Sequence, residues 1–499
     1  MLSPPTPRPR WPAILLAALF SLAALAPAGA EIALPDIGDS ALEALTPERE
    51  HQIGAAVVRN LRRANAIIDD LIVADYLNDL GYRLVAAGDG TRPEFQFLLI
   101  NDPEINAFAL PGGFVGVHYG LITEAENESE LAAVMAHEVV HVTQRHHARA
   151  YEAGEDNLPL TAAIIAAILL GGQGDIAQAA AASLAAQSAQ SRIDFIRANE
   201  EEADRIGIDL LARAGFDPRS MAGFFLHLQR AARLQGPDLP EFLRTHPVTE
   251  RRIAEAVDRA ASLPAQPVRD ESRFHLVRAR LRVMTAHNQR RLAAQLREEL
   301  ENGRYLDADA TRYGLVLALM ESNQLDTAAT ELQKLLARQP NRTAYRVAEA
   351  ELRLRRGKVE AALAIYADAL SNAPGNAIVT YAYASALLDN GRAAEASRLL
   401  KDYLRRPTPY PVFYRLLART ESEQGHDADA YEAMGEYYYQ TGLSHDALTQ
   451  FTLASKVPGL NFIQLSRIDA RIRAIRNELE QLPAEQTPRG HLHDYGARL

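Results

Sequence analysis

Along the second half of the chain, positions 34 residues apart carry the same kind of side chain. Asn323, Gly357, Gly391 and Gly425 form one series, Ala328, Ala362, Ala396 and Ala430 a second, and Pro340 and Pro374 a third. A fixed period of this length restricts the fold more than any other feature of the 499 residues. One unit must be a helix pair that cannot bury its apolar face alone, so successive units must stack into a solenoid. Gly or Asn takes the turn between the paired helices, Ala lets them approach closely, and Pro closes the unit because it cannot continue a helix. Ala294 carries the phase one unit back, and Gly442-Leu443-Ser444-His445-Asp446-Ala447 marks a further, irregular pair. Four to six units are expected between residues 276 and 480. So large a concave array suits a partner or client chain better than a purely stabilising role.

The first half is organised differently. From Leu131 to Val142 the chain reads as an apolar helix carrying His137-Glu138-Val139-Val140-His141. Residues four apart share a helix face, so both imidazoles point the same way, as two ligands of one metal ion must. Glu138 lies roughly 100° further round the axis. From there its carboxylate reaches a metal-bound water without becoming a ligand, the arrangement of a zinc peptidase. The bland alternative is an amphipathic helix with solvated histidines. Against it, Ala, Val, Met and Leu surround the motif on nearly every side. Two imidazoles and a carboxylate buried there without partners would cost on the order of several kcal/mol, and a metal supplies the partner. The chain has no cysteine, so zinc must take His and carboxylate ligands. Asp194, Glu200, Glu201, Glu202 and Asp204 compete for the third place, and spacing alone does not choose among them.

Arg8 and Arg10, an apolar run over residues 13–26 and Ala28-Gly29-Ala30 read as a signal peptide cleaved after Ala30. The run is shorter than the ~20 residues a spanning helix needs. Removing the two arginines takes the net charge from −11 to −13. An acidic mature chain argues against a nucleic-acid partner and fits an exported compartment, most simply a periplasm. Helices are expected over residues 48–66 and 67–87 and a strand from Phe95 to Ile100. Two short strands around Pro111-Gly112-Gly113 complete a small antiparallel sheet. Asn106, Ala107 and Phe108 form an edge to which an extended peptide could add, or an ordinary structural hairpin; the two readings stand level. Thr123-x-x-Glu126 is a capping-box pattern for the metal helix. His146 and His147, at its polar end, are either accessory ligands or, as preferred because the ligand face is already filled, exposed. The run from Leu160 to Leu170 is too short to span a bilayer. It either touches a membrane surface or client, or, as preferred, packs as one arm of a helical hairpin whose second arm is Ala-rich.

With Glu200-x-x-Ala203-Asp204 some sixty residues after His141, the motif helix resembles the zinc peptidases related to HtpX and the CAAX prenyl endopeptidases. Asn106-Ala107-Phe108-Ala109 with the Gly112-Gly113 turn, and Thr245-His246-Pro247 with Arg252-Ile253, narrow the resemblance to the BepA/YfgC-like periplasmic metalloproteases. These carry a C-terminal array of tetratricopeptide (TPR) repeats, whose period is the 34 residues seen here. The similarity covers nearly the whole chain after the leader. It implies one zinc ion per chain, Glu200 as third ligand, and Asp204 orienting a ligating imidazole. It implies that His246 latches the open zinc position, and it leaves Arg252 as either an oxyanion stabiliser or a loop anchor. Clients would be misassembled outer-membrane proteins and their assembly machinery. The chain would also act as a chaperone; the alternative is a TPR scaffold or assembly chaperone with little proteolysis. The expected fold is mainly α (α+β). A signal peptide occupies 1–30, a zincin-like metallopeptidase domain 31–262, a linker 263–275, an all-α TPR solenoid 276–480 and a loose tail 481–499.

Overall fold

The computed structural model describes residues 45–89, 94–152, 189–235, 241–264, 266, 271–406 and 410–481. The leader with Ala30, the run from Leu160 to Leu170 with the Ala-rich arm after it, and the tail beyond residue 481 lie outside them. Helices α1 (Pro47–Arg63) and α2 (Leu71–Ala87) come first. Each begins on a side-chain cap: Thr46 accepts from Arg49 N–H and Asp70 from Val73 N–H.

Strands β1 (Gln96–Ile100), β2 (Ala107–Leu110) and β3 (Phe114–His118) form one sheet in the order β1-β3-β2. β2 and β3 make the expected antiparallel hairpin, with Ala107 opposite Val117 and Leu110 opposite Phe114. Gly112 and Gly113 turn it at φ +80° and +97°, a conformation that favours glycine. β1, however, runs parallel to β3, so the sheet is mixed and the expectation of a wholly antiparallel one is corrected. Residues 101–106 are too many for a tight hairpin. They carry the chain one strand further out, and β3 fills the gap. β2 is therefore an edge strand.

Next come α3 (Tyr119–Glu124), α4 (Glu128–Thr143) and α5 (His146–Glu152). Thr123 does not start the metal helix. It lies inside α3 and donates to Gly120 O. The cap of α4 is Asn127, whose Oδ1 accepts from Glu130 N–H at 2.9 Å while Glu130 Oε2 accepts from Glu126 N–H. The capping pattern recurs four residues later as Asn127-x-x-Glu130, and there the backbone before it is extended. Residues 128–142 of α4 are all buried, walled in by α2, by α6 (Ala189–Arg213), by α7 (Ser220–Gln235) and by β2 and β3. Two shorter helices, α8 (Glu241–Thr245) and α9 (Glu250–Ala261), close this half.

The second half is twelve helices in six consecutive pairs among the described residues. They are α10 (Ser272–Met284) with α11 (Gln289–Glu301), α12 (Ala308–Glu321) with α13 (Leu325–Arg338), and α14 (Thr343–Arg355) with α15 (Val359–Asn372). Then follow α16 (Ala377–Asp389) with α17 (Ala393–Tyr403), α18 (Val412–Glu423) with α19 (Asp427–Gln440), and α20 (Ser444–Ser455) with α21 (Phe462–Gln481). From Asn323 onward the phased residues stand where the period put them, but Ala294 is exposed and Ala293 takes the buried place, so the phase carried one unit back is off by one residue. Asn323, Gly357, Gly391 and Gly425 all have positive φ between paired helices. A Cβ at the three glycines would meet nothing, so backbone conformation alone selects them. Ala328, Ala362 and Ala396 are fully buried. Replacing Asn127 by Ala should lower stability to denaturant by about 1 kcal/mol, whereas Thr123→Ala, which removes no cap, should cost clearly less.

Candidate metal centre

α4 presents His137 and His141 on one face with their Nε2 atoms 3.0 Å apart. α6 packs along α4 and brings in Glu200, whose Oε2 and Oε1 lie 3.4 Å from those two nitrogens respectively. His246, in the turn after α8, adds Nδ1 at 3.0 and 3.1 Å from the Glu200 oxygens and 3.3 Å from His137 Nε2. Donor atoms of His137, His141, Glu200 and His246 all lie within 4.8 Å of one another. Four ligands around a tetrahedral ion at ~2.0–2.1 Å sit roughly 3.4 Å apart. The observed separations match that frame, and the nitrogen-and-carboxylate donor set suits a divalent ion. Glu138 faces the same space. Both of its carboxylate oxygens are enclosed and reach no hydrogen-bond partner at ordinary distance, and His246 Nε2 is 3.6 Å from Oε1. Burial pushes its carboxyl up, partly offset by His246 and His137.

A second layer holds these groups. Asp204, one turn after Glu200, lies 2.9 Å from His137 Nδ1. Arg252 of α9 forks onto Asp204 at 2.6 and 2.8 Å, reaches Glu200 at 3.0 Å and donates to Pro247 O at 2.8 Å. It is 3% exposed, with its nitrogens spent on two carboxylates and the carbonyl beside His246. Of the other carboxylates that competed at the sequence level, Glu201 pairs with Arg251 and Glu202 with His146 and Arg149. The side chain of Asp194 lies outside the described residues. Burial pulls the His137 imidazole down, but Asp204 and Glu200 outweigh it and hold it at about 10. Burial drives His141 to about 3. Glu200 stays well below the usual carboxylate range because the three imidazoles outweigh its burial.

His146 and His147 are not exposed. α4 stops at Thr143, Arg145 turns the chain at φ +52°, and α5 folds back. His146 is buried with Nδ1 2.8 Å from His141 Nδ1. The Nε2 of His147 is 3.0 Å from Ala109 O on the outer side of β2. The polar run from Gln144 to His147 reads in the sequence as the exposed end of one helix, whereas the left-handed turn at Arg145 breaks it there. On β2, Asn106 and Ala107 are buried and the Phe108 ring lies over Gly116. Phe242 N–H donates to Ile105 O at 3.4 Å, which seats α8 beside the start of that strand.

Residues 73–260 match peptidase family M48, and residues 313–377 and 353–420 match tetratricopeptide repeats. The beta-barrel assembly-enhancing protease of Escherichia coli K12 is 36% identical over 473 residues, 93% of this chain and 96% of that protein. The chain belongs to the beta-barrel assembly-enhancing protease family. The protein of the same name from Yersinia pestis is 34% identical over 89% of this chain and 91% of its own length. The mitochondrial metalloendopeptidase OMA1 of Schizosaccharomyces pombe is 32% identical over 36% of this chain and 50% of its own. The chain is therefore a metalloendopeptidase whose family implies a bound metal ion, followed by repeats of a type that binds other proteins. Truncating Arg252 to Ala leaves two buried carboxylates facing each other and should cost about 3–5 kcal/mol of folding stability. Urea denaturation of Arg252→Ala against wild type reads this, and Arg252→Lys, lacking the planar fork, should recover only part of the loss.

Proposed function

We propose that the chain is a zinc endopeptidase of the periplasm, acting on outer-membrane β-barrel proteins that fail to assemble and assisting those that do. One zinc is held by His137, His141 and Glu200, with His246 as a removable fourth ligand. The observation that best supports this is the convergence of four candidate ligand atoms within 4.8 Å beside the buried Glu138 carboxylate, which faces the same space. The client class rests on the names of the relatives. When bound, zinc polarises the scissile carbonyl and acidifies the attacking water. Glu138 takes that water's proton and passes it to the departing amine. Asp204 keeps the proton of His137 on Nδ1, leaving the Nε2 lone pair for the ion. His246 fills the position where water and substrate must enter, so turnover requires the turn around Thr245 and Pro247 to move. Arg252 sets the resting place of that turn through Pro247 O. The peptidase domain spans residues 31–262 and the repeats, which present clients or assembly machinery, 276–480. Among the described residues no helix is long and apolar enough to cross a membrane.

Metal analysis together with cleavage of an unfolded outer-membrane protein tests the reading. Wild type should carry one zinc and cleave, and Glu138→Gln should keep the zinc and lose about 10²–10⁴-fold in rate. A zinc-free wild type, or unimpaired cleavage by Glu138→Gln, would overturn it. His246→Ala should raise turnover with zinc retained; a lower turnover at full zinc occupancy would count against the latch.

A further inference from the structure

Three side chains lie in line behind His141, and the enzymatic reading above gives them no task. His141 Nδ1 is 2.8 Å from His146 Nδ1, His146 Nε2 is 3.3 Å from Glu202 Oε2, and Arg149 Nη2 is 2.7 Å from that same oxygen. The backbone is bent to make this line. In an unbroken helix a residue five positions on points roughly 140° away around the axis. Here α4 ends, and Arg145 takes a left-handed φ of +52°, a conformation that costs a non-glycine residue on the order of 1 kcal/mol. Glu50 and the Leu45 carbonyl hold the Arg145 side chain in place. The turn swings His146 back beneath His141.

We propose that His146 is a positioning residue for the metal, the link through which Glu202 and Arg149 fix the orientation and proton of His141. Only one protonation pattern satisfies the line. For His141 to ligate through Nε2, its proton must sit on Nδ1. His146 must then accept at its own Nδ1 and carry its proton on Nε2, where Glu202 accepts it. Arg149 holds Glu202 as the anion. His137 is backed differently, by the carboxylate of Asp204 directly. A carboxylate behind each imidazole would place a fourth anion about one ion, alongside Glu138, Glu200 and Asp204. The neutral ring of His146 passes on orientation without that charge. A partner behind a ligating histidine is worth roughly 10–100-fold in metal affinity.

This inference rests on the zinc reading of the centre. Its test is zinc affinity by chelator competition, with the absorption spectrum of the cobalt-substituted protein as a second readout. His146→Phe keeps the ring volume and removes the acceptor. It should weaken zinc binding about 10–100-fold and shift the cobalt bands. His146→Asn, whose Oδ1 can stand where Nδ1 stood, should recover most of the affinity. Glu202→Leu should weaken binding in the same direction by a smaller factor. Wild-type affinity and an unshifted cobalt spectrum in His146→Phe would overturn the proposal, because then the ring only fills space. Should His146→Phe fail to fold, wild-type affinity in Glu202→Leu would overturn it equally. A wild-type chain that binds no zinc would sink the reading of the centre instead, which keeps the two failures apart.

Discussion

The first half of the molecule depends on one helix that buries two imidazoles and a carboxylate among Ala, Val and Met side chains. Polar groups in that setting need partners that travel with the fold. They come from α6, whose Glu200 and Asp204 reach the two ends of His137, and from α9, whose Arg252 neutralises both carboxylates. Close approach is a condition of this. Ala132, Ala133 and Ala136 are fully buried on α4, and Gly207 of α6 rides over the Ala136–His137 backbone, where a Cβ would lie 3.5 Å from His137 N. Small residues at the crossing bring a short carboxylate side chain within reach of the imidazoles.

The same guanidinium connects the centre to the turn that covers it. Arg252 touches Glu200, Asp204 and the carbonyl of Pro247, so the cluster around Glu200 and the resting position of His246 share one anchor. Phe242 braces the turn from the other side, stacked on His246 at 4.8 Å between ring centroids and donating its N–H to Ile105 O. The turn is held by more than these two braces, since His246 Nδ1 also meets the Glu200 carboxylate at 3.0 and 3.1 Å and His137 Nε2 at 3.3 Å.

The repeat half was legible because its period is set by local physics. Left-handed turns and close helix contacts select Gly, Asn and Ala at fixed intervals whatever surrounds them. The His-Glu-x-x-His pair was legible for the same reason, since helix spacing alone fixes which side chains share a face. Residues 101–106 gave no sign that β3 would enter between β1 and β2, because strand order is a property of the whole sheet. Thr123 and Asn127 both begin capping patterns, and only the extended backbone before Asn127 decides between them. His146 was misread as exposed because its place depends on a break at Arg145. Nothing in helical spacing foretells a non-glycine residue at positive φ. Spacing could not tell that the packing of α6 on α4 would bring Glu200 to within 3.4 Å of both imidazoles.

The two halves meet through a shared helix, and this restricts how the array can move. Phe274, Val277 and Leu281 of α10 belong to the peptidase core, while Leu276, Ala279 and Val283 of the same helix belong to the first repeat core. Each set follows the spacing i, i+3, i+7, so α10 is apolar on two faces at once. Its flanks carry Arg273, paired with Asp75 and Asp79, and Arg280, which forks onto Asp70, all on α2. α2 packs on its other side against α4. Rotation of α10 against the peptidase half would pull Phe274 out of the core that also houses α4. Tyr410 returns to the same wall, donating to Asp75 Oδ1 at 3.1 Å, and a cleft of about 1100 Å³ remains between α2, β1 and the later repeats.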